Sequence, residues 1–304
     1  ADFTQAIKIN PEFAEVYNNR GVAYSDKREL DQAIADYNLA LEINPKLAQA
    51  YNNRGLAYSN KGELDQAIAD FNRALKINPK LADAYYNRGL VYYNKGELDQ
   101  AIADFNQALK INPEFAEAYY NRGIAYYKKG KLDQAIADYT QALNINPKLA
   151  DAYYNRGNAY YDKGKLDLAI TDYTQALNIN SDYAEVYNNR GIAYNKKGEL
   201  DQAIADFNQA LKINPEFAEA YYNRGIAYRK QGKLEQAIAD FNQAININPE
   251  DADAYSNIGI AYSKLGEKQK TIQAFNQAAK LFAEQGNTTK KQQVLELLKQ
   301  LQQD

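Results

Sequence analysis

A glycine recurs at positions 21, 55, 89, 123, 157, 191, 225 and 259, once every 34 residues. A proline keeps the same step at 11, 45, 79, 113, 147, 215 and 249, with Ser181 filling the one gap in its series. A period this short means that the chain is built from copies of one supersecondary unit rather than around a single core. The register gives eight full units, at 14–47, 48–81, 82–115, 116–149, 150–183, 184–217, 218–251 and 252–285. Residues 1–13 read as the tail of a ninth unit, cut inside its second helix. Residues 96–126 and 198–228 are identical, which points to recent duplication or a designed array. Scattered exceptions, among them Arg28, Asn158 and Ser181, fit natural drift better than strict design.

The unit at 116–149 shows what each copy encodes. The pattern predicts a helix A from about Ala116 to Lys129, with Ala118, Tyr119, Arg122, Gly123, Ala125 and Tyr126 on one stripe. Gly130 ends it, as a glycine past a helix C-terminus does. A helix B follows from about Lys131, with Leu132, Ala135, Ile136, Tyr139, Ala142 and Leu143 at i, i+3, i+4, i+7 spacing. Asn146-Pro147 stops it, because a proline disfavours the helical region for the residue before it. Small residues let the helices approach and tyrosines fill the gaps. One such hairpin cannot bury its own stripe, whereas stacked neighbours can.

With these residues in place the chain resembles a tetratricopeptide repeat array. The family's order of aromatic, Gly and Tyr in helix A, then Ala, aromatic, Ala and Pro through helix B, is matched by Tyr119, Gly123, Tyr126, Ala135, Tyr139, Ala142 and Pro147. The other units repeat that match, so the resemblance covers nearly the whole chain. Arg stands before the glycine where the family usually has Leu. The resemblance implies an all-α fold, a right-handed superhelical α-solenoid whose A helices line the concave surface. The last unit departs from the pattern at Lys268, Thr271 and Ala283, so its helix B should run on to about Gln285. Gly286 then opens a C-terminal capping helix over 286–304, with Val294, Leu295, Leu297, Leu298 and Leu301 on its apolar side. The lone N-terminal helix B carries Phe3, Ala6, Ile7 and Ile9 without a helix A, which makes self-association through this uncapped stripe one expectation.

Composition removes several function classes. Net charge is −3, so no basic excess exists to hold a phosphate backbone and nucleic acid is not an expected partner. The chain has no Cys and no His, which removes the usual zinc ligands and the commonest general base. No nucleophile elbow, phosphate loop or calcium loop occurs. No catalytic residue, metal or cofactor is expected, and the chain reads as a non-enzyme. No apolar run is long enough to span a bilayer, so no membrane insertion is expected. The first residue is not Met, so targeting is left open, with the cytoplasm as the expected compartment.

Helix A has a second row, at helical spacing, that its packing stripe leaves for a ligand groove. An asparagine stands at one place in this row in every unit: Asn19, Asn53, Asn87, Asn121, Asn155, Asn189, Asn223 and Asn257. An amide offers two donors and an acceptor, enough to bond the backbone of an extended peptide without reading its side chains. The series resembles the asparagine ladder of O-linked N-acetylglucosamine transferase repeat arrays. The bracing of neighbouring helices is the alternative role. Seven tyrosines share the row, Tyr86, Tyr93, Tyr120, Tyr127, Tyr154, Tyr161 and Tyr222, six of them in the third to fifth units. They read either as contact residues, of the kind that dominate interfaces, or as packing between A helices. Leu90, Ile124, Ile192 and Ile226 supply an apolar floor that Asn158 interrupts. Acids at Glu15, Asp83, Glu117, Asp151, Glu185, Glu219 and Asp253 argue against a clamp for a terminal carboxylate, and they read either as contacts for a peptide of some basic character or as a solvated acidic rim. Finally, Arg122 and its equivalents lie in the packing stripe and need partners, for which Asp138 and its equivalents on helix B are the candidates.

These features favour a protein-interaction scaffold that takes a protein or peptide in its groove. The alternatives are the substrate-recognition region of a larger enzyme, such as a glycosyltransferase, and a self-assembly module.

Overall fold

The computed structural model describes residues 2–303, and Ala1 and Asp304, at the ends of the first and last predicted segments, lie outside them. Among the described residues there are eighteen helices and no strand. They divide into two compact units that meet between residues 148 and 149. The first holds the helix Asp2–Ile9, then A helices at Ala14–Asp26, Ala48–Asn60, Ala82–Asn94 and Ala116–Lys128, each followed by a B helix at Leu30–Ile43, Leu64–Ile77, Leu98–Ile111 and Leu132–Ile145. The second holds A helices at Ala150–Asp162, Ala184–Lys197, Ala218–Lys230 and Ala252–Lys264. Its B helices span Leu166–Ile179, Leu200–Ile213, Leu234–Ile247 and Lys268–Glu284, and Thr288–Gln303 closes it.

Local chemistry sets these boundaries. Helix A of the fourth repeat stops at Gly130, whose φ of 70° is left-handed and brings the Lys131 amide onto the Tyr126 carbonyl at 2.9 Å. At the end of helix B the Asn146 side-chain oxygen accepts the Lys148 amide at 3.1 Å, an asparagine turn. The same bond forms from Asp182 to Asn180 at 3.1 Å, where Ser181 has replaced the proline. The asparagine therefore holds this turn and the proline only rigidifies it.

Each hairpin packs around a close approach. A methyl group on Gly123 would lie 2.7 Å from Cε1 of Tyr139, so only glycine lets helix A rest on the helix B ring. Ala135, Tyr139 and Ala142 are buried beneath it. Between hairpins, Ala40 and Leu41 of one helix B meet Ala50 of the next helix A, with Tyr17, Leu47 and Tyr51 around them. Within each unit consecutive A helices touch, while consecutive B helices make no comparable contact. The A helices therefore form the inner side of each stack. At the C-terminal end Val294 and Leu298 cover Phe275, Ala278 and Phe282, so the final helix closes the last hairpin's apolar face. Phe3 and Ile9 of the first helix remain exposed.

In the second, third, fourth, sixth and seventh repeats the arginine of the packing stripe clamps three helices. Arg122 donates from Nε and Nη2 to Asp138 at 2.7 and 2.6 Å, and from Nη1 to Asn106 of the preceding helix B at 2.6 Å. The two-pronged pair recurs at Arg20–Asp36, Arg54–Asp70, Arg88–Asp104, Arg156–Asp172, Arg190–Asp206 and Arg224–Asp240. The third bond recurs from Arg54 to Asn38, Arg88 to Asn72, Arg190 to Thr174 and Arg224 to Asn208. The planar fork of arginine suits this geometry, and lysine would not reproduce it. Burial pushes the Asp138 carboxyl above the ordinary carboxylate range, and the bonds and charge of Arg122 offset only part of that.

Candidate functional site

The inner face of the A helices carries the predicted residues, and the structure sorts them into two columns with different work. Asn19 is exposed, whereas Asn53, Asn87, Asn121, Asn155, Asn189, Asn223 and Asn257 are half-buried. Their amide nitrogens are largely committed to the preceding repeat. Asn53 donates to Asn18 at 3.0 Å, Asn87 to Asn52 at 3.1 Å and Asn223 to Asn188 at 3.1 Å. Where the acceptor position holds tyrosine, the hydroxyl takes over: Asn121 donates to Tyr86 at 3.0 Å, Asn189 to Tyr154 at 3.0 Å and Asn257 to Tyr222 at 3.2 Å. The ladder thus braces successive A helices.

The bracing leaves one side of several amides open. Asn121 also donates to its own helix at the Glu117 carbonyl, and Asn257 does the same at the Asp253 carbonyl, both at 2.9 Å. A carbonyl only accepts, so each amide's orientation is fixed and both its N–H groups are engaged. The side-chain oxygens of Asn87, Asn121, Asn223 and Asn257 accept no hydrogen bond among the described residues. Asn53 differs, because its oxygen accepts Gln49 at 3.1 Å.

The tyrosines divide as well. Tyr86 packs on Phe105 and Phe115 at ring distances of 5.9 and 4.7 Å. Tyr120 packs on Tyr139 at 6.0 Å, Tyr154 on Tyr173 at 6.1 Å and Tyr222 on Phe241 at 5.8 Å. These four lie back onto helix B and belong to the frame. Burial pushes the Tyr222 hydroxyl up to about 12, helped by Asp253 and Asp251 and opposed by its bond from Asn257 and by Arg229. Tyr93, Tyr127 and Tyr161 stand two turns further along, half-buried beside the floor residues Leu90, Ile124 and Asn158. Lys128 lies 4.2 Å from the Tyr93 ring centre and Lys196 lies 4.7 Å from that of Tyr161. Asn158 accepts from Tyr173 at 2.8 Å and from Asn189 at 3.1 Å, so the break in the floor is itself part of the frame.

The acceptor column was missed in sequence reading. A signal for it exists: Asn18, Asn52, Tyr86, Tyr154, Asn188 and Tyr222 each precede the ladder asparagine by one residue and can accept its bond from the next repeat. Ser256, the odd one out, belongs to the last unit and has no following ladder residue to receive. Charge on this face is also partly spoken for. Lys290 of the closing helix pairs with Asp253 at 2.7 Å, and Lys230 donates to Asn195 at 2.7 Å. Among the described residues no group of acids could hold a metal ion, and no helix is long and apolar enough to cross a membrane.

Models of the TPR repeat match residues 59–96, 90–130, 125–164, 157–198, 193–232 and 225–266. Models of the tetratricopeptide repeat match 14–47, 37–69 and 252–285. The chain belongs to the tetratricopeptide repeat family. No match was found among curated proteins. Among solved structures, this tetratricopeptide repeat chain is similar to YrrB, described as a TPR protein with an unusual peptide-binding site, at 30% identity, 61% coverage of this chain, 96% of that one and a TM-score of 0.51. MamA is 29% identical over 54% of this chain and 96% of its own, with a TM-score of 0.52. The Cut9–Hcn1 hetero-tetramer matches 99% of this chain and 58% of the other at 21% identity and a TM-score of 0.59, which speaks for the fold alone. Repeats and neighbours together place the chain among protein-interaction scaffolds.

Proposed function

We propose that the A-helix face of each unit holds an extended segment of a partner protein, with the ladder asparagines bonding its backbone and Tyr93, Tyr127 and Tyr161 taking its side chains. The observation that carries this reading is the set of side-chain oxygens on Asn87, Asn121, Asn223 and Asn257. They are half-buried and accept nothing from the protein, and those of Asn121 and Asn257 are aimed by amides fixed on backbone carbonyls. These acceptors are open to solvent rather than buried without a partner, so a donor from outside the chain, such as a peptide N–H group, can reach them. YrrB, a relative named for a peptide-binding site, supports the same kind of ligand. The reading assigns no catalytic step to the chain.

The test uses the tyrosines rather than the asparagines, because the latter brace the fold. Ser25, Ser59 and Ser263 occupy the place of Tyr93, Tyr127 and Tyr161 in other repeats, so serine is compatible with the hairpin. A degenerate library of short amidated peptides is displayed to the full chain and to a Tyr93→Ser, Tyr127→Ser, Tyr161→Ser variant. Peptides retained by the parent should lose affinity by about 30-fold or more in the variant, the effect of about 2 kcal/mol for a hot-spot cluster. Equal retention by both would remove the inner face from the proposal.

A further inference from the structure

Helix B carries an aromatic residue beneath the glycine of every helix A: Phe71, Phe105, Phe207, Phe241 and Phe275 in five repeats, and Tyr37, Tyr139 and Tyr173 in the other three. The ring crosses under the glycine, so a hydroxyl at its tip emerges at the inner face. In two of the three tyrosine repeats a polar side chain stands at that tip. Tyr173 donates to Asn158 at 2.8 Å. Tyr37 has the Ser25 hydroxyl near enough to lower its pKa against the effect of burial. Tyr139 has neither partner, because Ile124 stands where Tyr173 finds Asn158, and Tyr127 stands where Tyr37 finds Ser25.

Tyr139 is 1% exposed and its hydroxyl makes no hydrogen bond among the described residues. Its surroundings are aromatic. Tyr120 packs on its ring, and the phenols of Tyr93, Tyr120 and Tyr127 lie close enough to interact with it electrostatically. Burial keeps it protonated far above neutral pH. The Tyr139 oxygen is not among the fully buried atoms that lack a partner, so the tip of the ring is open at the inner face, and phenylalanine fills the same space in five sister repeats. The hydroxyl is therefore open to a group from outside the chain.

The geometry points to Tyr139 as the base of an aromatic pocket, walled by Tyr93, Tyr120 and Tyr127, that takes a lysine or arginine side chain of the bound segment. This rests on the inner-face reading above and assigns the class of side chain that one position prefers. Three observations favour a cation. The walls offer aromatic ring faces, which attract cations. The chain lays its own ammonium groups on rings of the same column, Lys128 on Tyr93 and Lys196 on Tyr161. The exposed acids Asp83 and Glu117 begin the two A helices that supply the walls. Lys128 is then a competitor inside the protein, which ligand entry displaces from the Tyr93 face.

The experiment compares the full chain with Tyr139→Phe and Lys128→Ala against the same degenerate library of short amidated peptides, read by sequencing the retained pool and by affinities of single peptides with Lys, Arg, Leu or Glu at the selected position. The parent should enrich a basic residue at one position. Tyr139→Phe should melt at the same temperature or higher, yet lose that preference for Lys or Arg over Leu by about tenfold, the loss of one hydrogen bond to a charged group. Lys128→Ala should strengthen the preference. Basic enrichment that survives in Tyr139→Phe would overturn the inference and leave the inner-face reading standing, since the acids alone would then explain it. Enrichment of Leu or Glu by the parent would overturn it as well. Retention of no peptide by the parent would sink both.

Discussion

Arg28 holds a φ of 63°, the left-handed conformation that Gly62, Gly96, Gly130, Gly164, Gly198, Gly232 and Gly266 hold in the matching turns. A side chain there meets open space at those glycines, so the strain at Arg28 lies in its own backbone rather than in a clash. Arg28→Gly relieves it at the cost of a more flexible unfolded chain, and the net gain should be about 0.5–1 kcal/mol. Urea denaturation followed by far-UV circular dichroism checks this, as a rise in midpoint without a change in slope. A fall in midpoint would mean that the arginine side chain contributes more than its backbone costs. The repeat pattern made this position legible as an exception. It did not separate Tyr86 from Tyr93, because both lie on one row of helix A. A tyrosine is long enough to lean back onto the helix B aromatic, and only the packing decides which ones do so.

At the scale of the helical hairpin, the arginine clamp joins one repeat to the next. The Arg–Asp pair was legible because both residues leave together in the last unit, where Ile258 and Ala274 replace them and are buried. The third bond, to Asn106 and its equivalents, was not legible, since an asparagine on helix B reads as ordinary surface. Asp138→Ala strands the Arg122 guanidinium against Asn106 and should cost about 3–5 kcal/mol. In an Arg122→Leu background the same change should cost far less, so the double-mutant cycle should return a coupling of about 1–3 kcal/mol. Equal costs in both backgrounds, measured by chemical denaturation, would show that each residue is held by something else. The boundaries of the hairpins were legible to within a residue or two for a simple reason. The asparagine turn and the left-handed glycine act through their own backbone and need no distant partner.

At the scale of the whole molecule, tyrosine replaces the tryptophan, methionine and cysteine that the chain lacks, with 27 copies shared between frame and inner face. That choice has a consequence in alkali. Burial pushes the Tyr37 hydroxyl up to about 12, with Asp26 and Asp36 adding to it and the Ser25 hydroxyl opposing it. Tyr222 rises to about 12 for the same first reason, and Tyr86 and Tyr139 are also raised by burial. Unfolded tyrosine ionises near 10. Below that value both states keep the proton and these groups favour neither. Between about 10 and 12 the unfolded chain releases protons that the folded chain retains, so stability falls as pH rises, by about 1.4 kcal/mol per pH unit for a group as buried as Tyr37. Phenolate absorbance and far-UV ellipticity, followed together from neutral pH upward, should show a late rise in absorbance coupled to loss of helix. Tyr37, Tyr86, Tyr139 and Tyr222 should ionise only as ellipticity is lost, because burial disfavours each of their phenolates. A single ordinary titration with full helicity would mean that the rings beneath the glycines open to solvent far more readily than their packing implies. The coupling between ionisation and unfolding would then be absent.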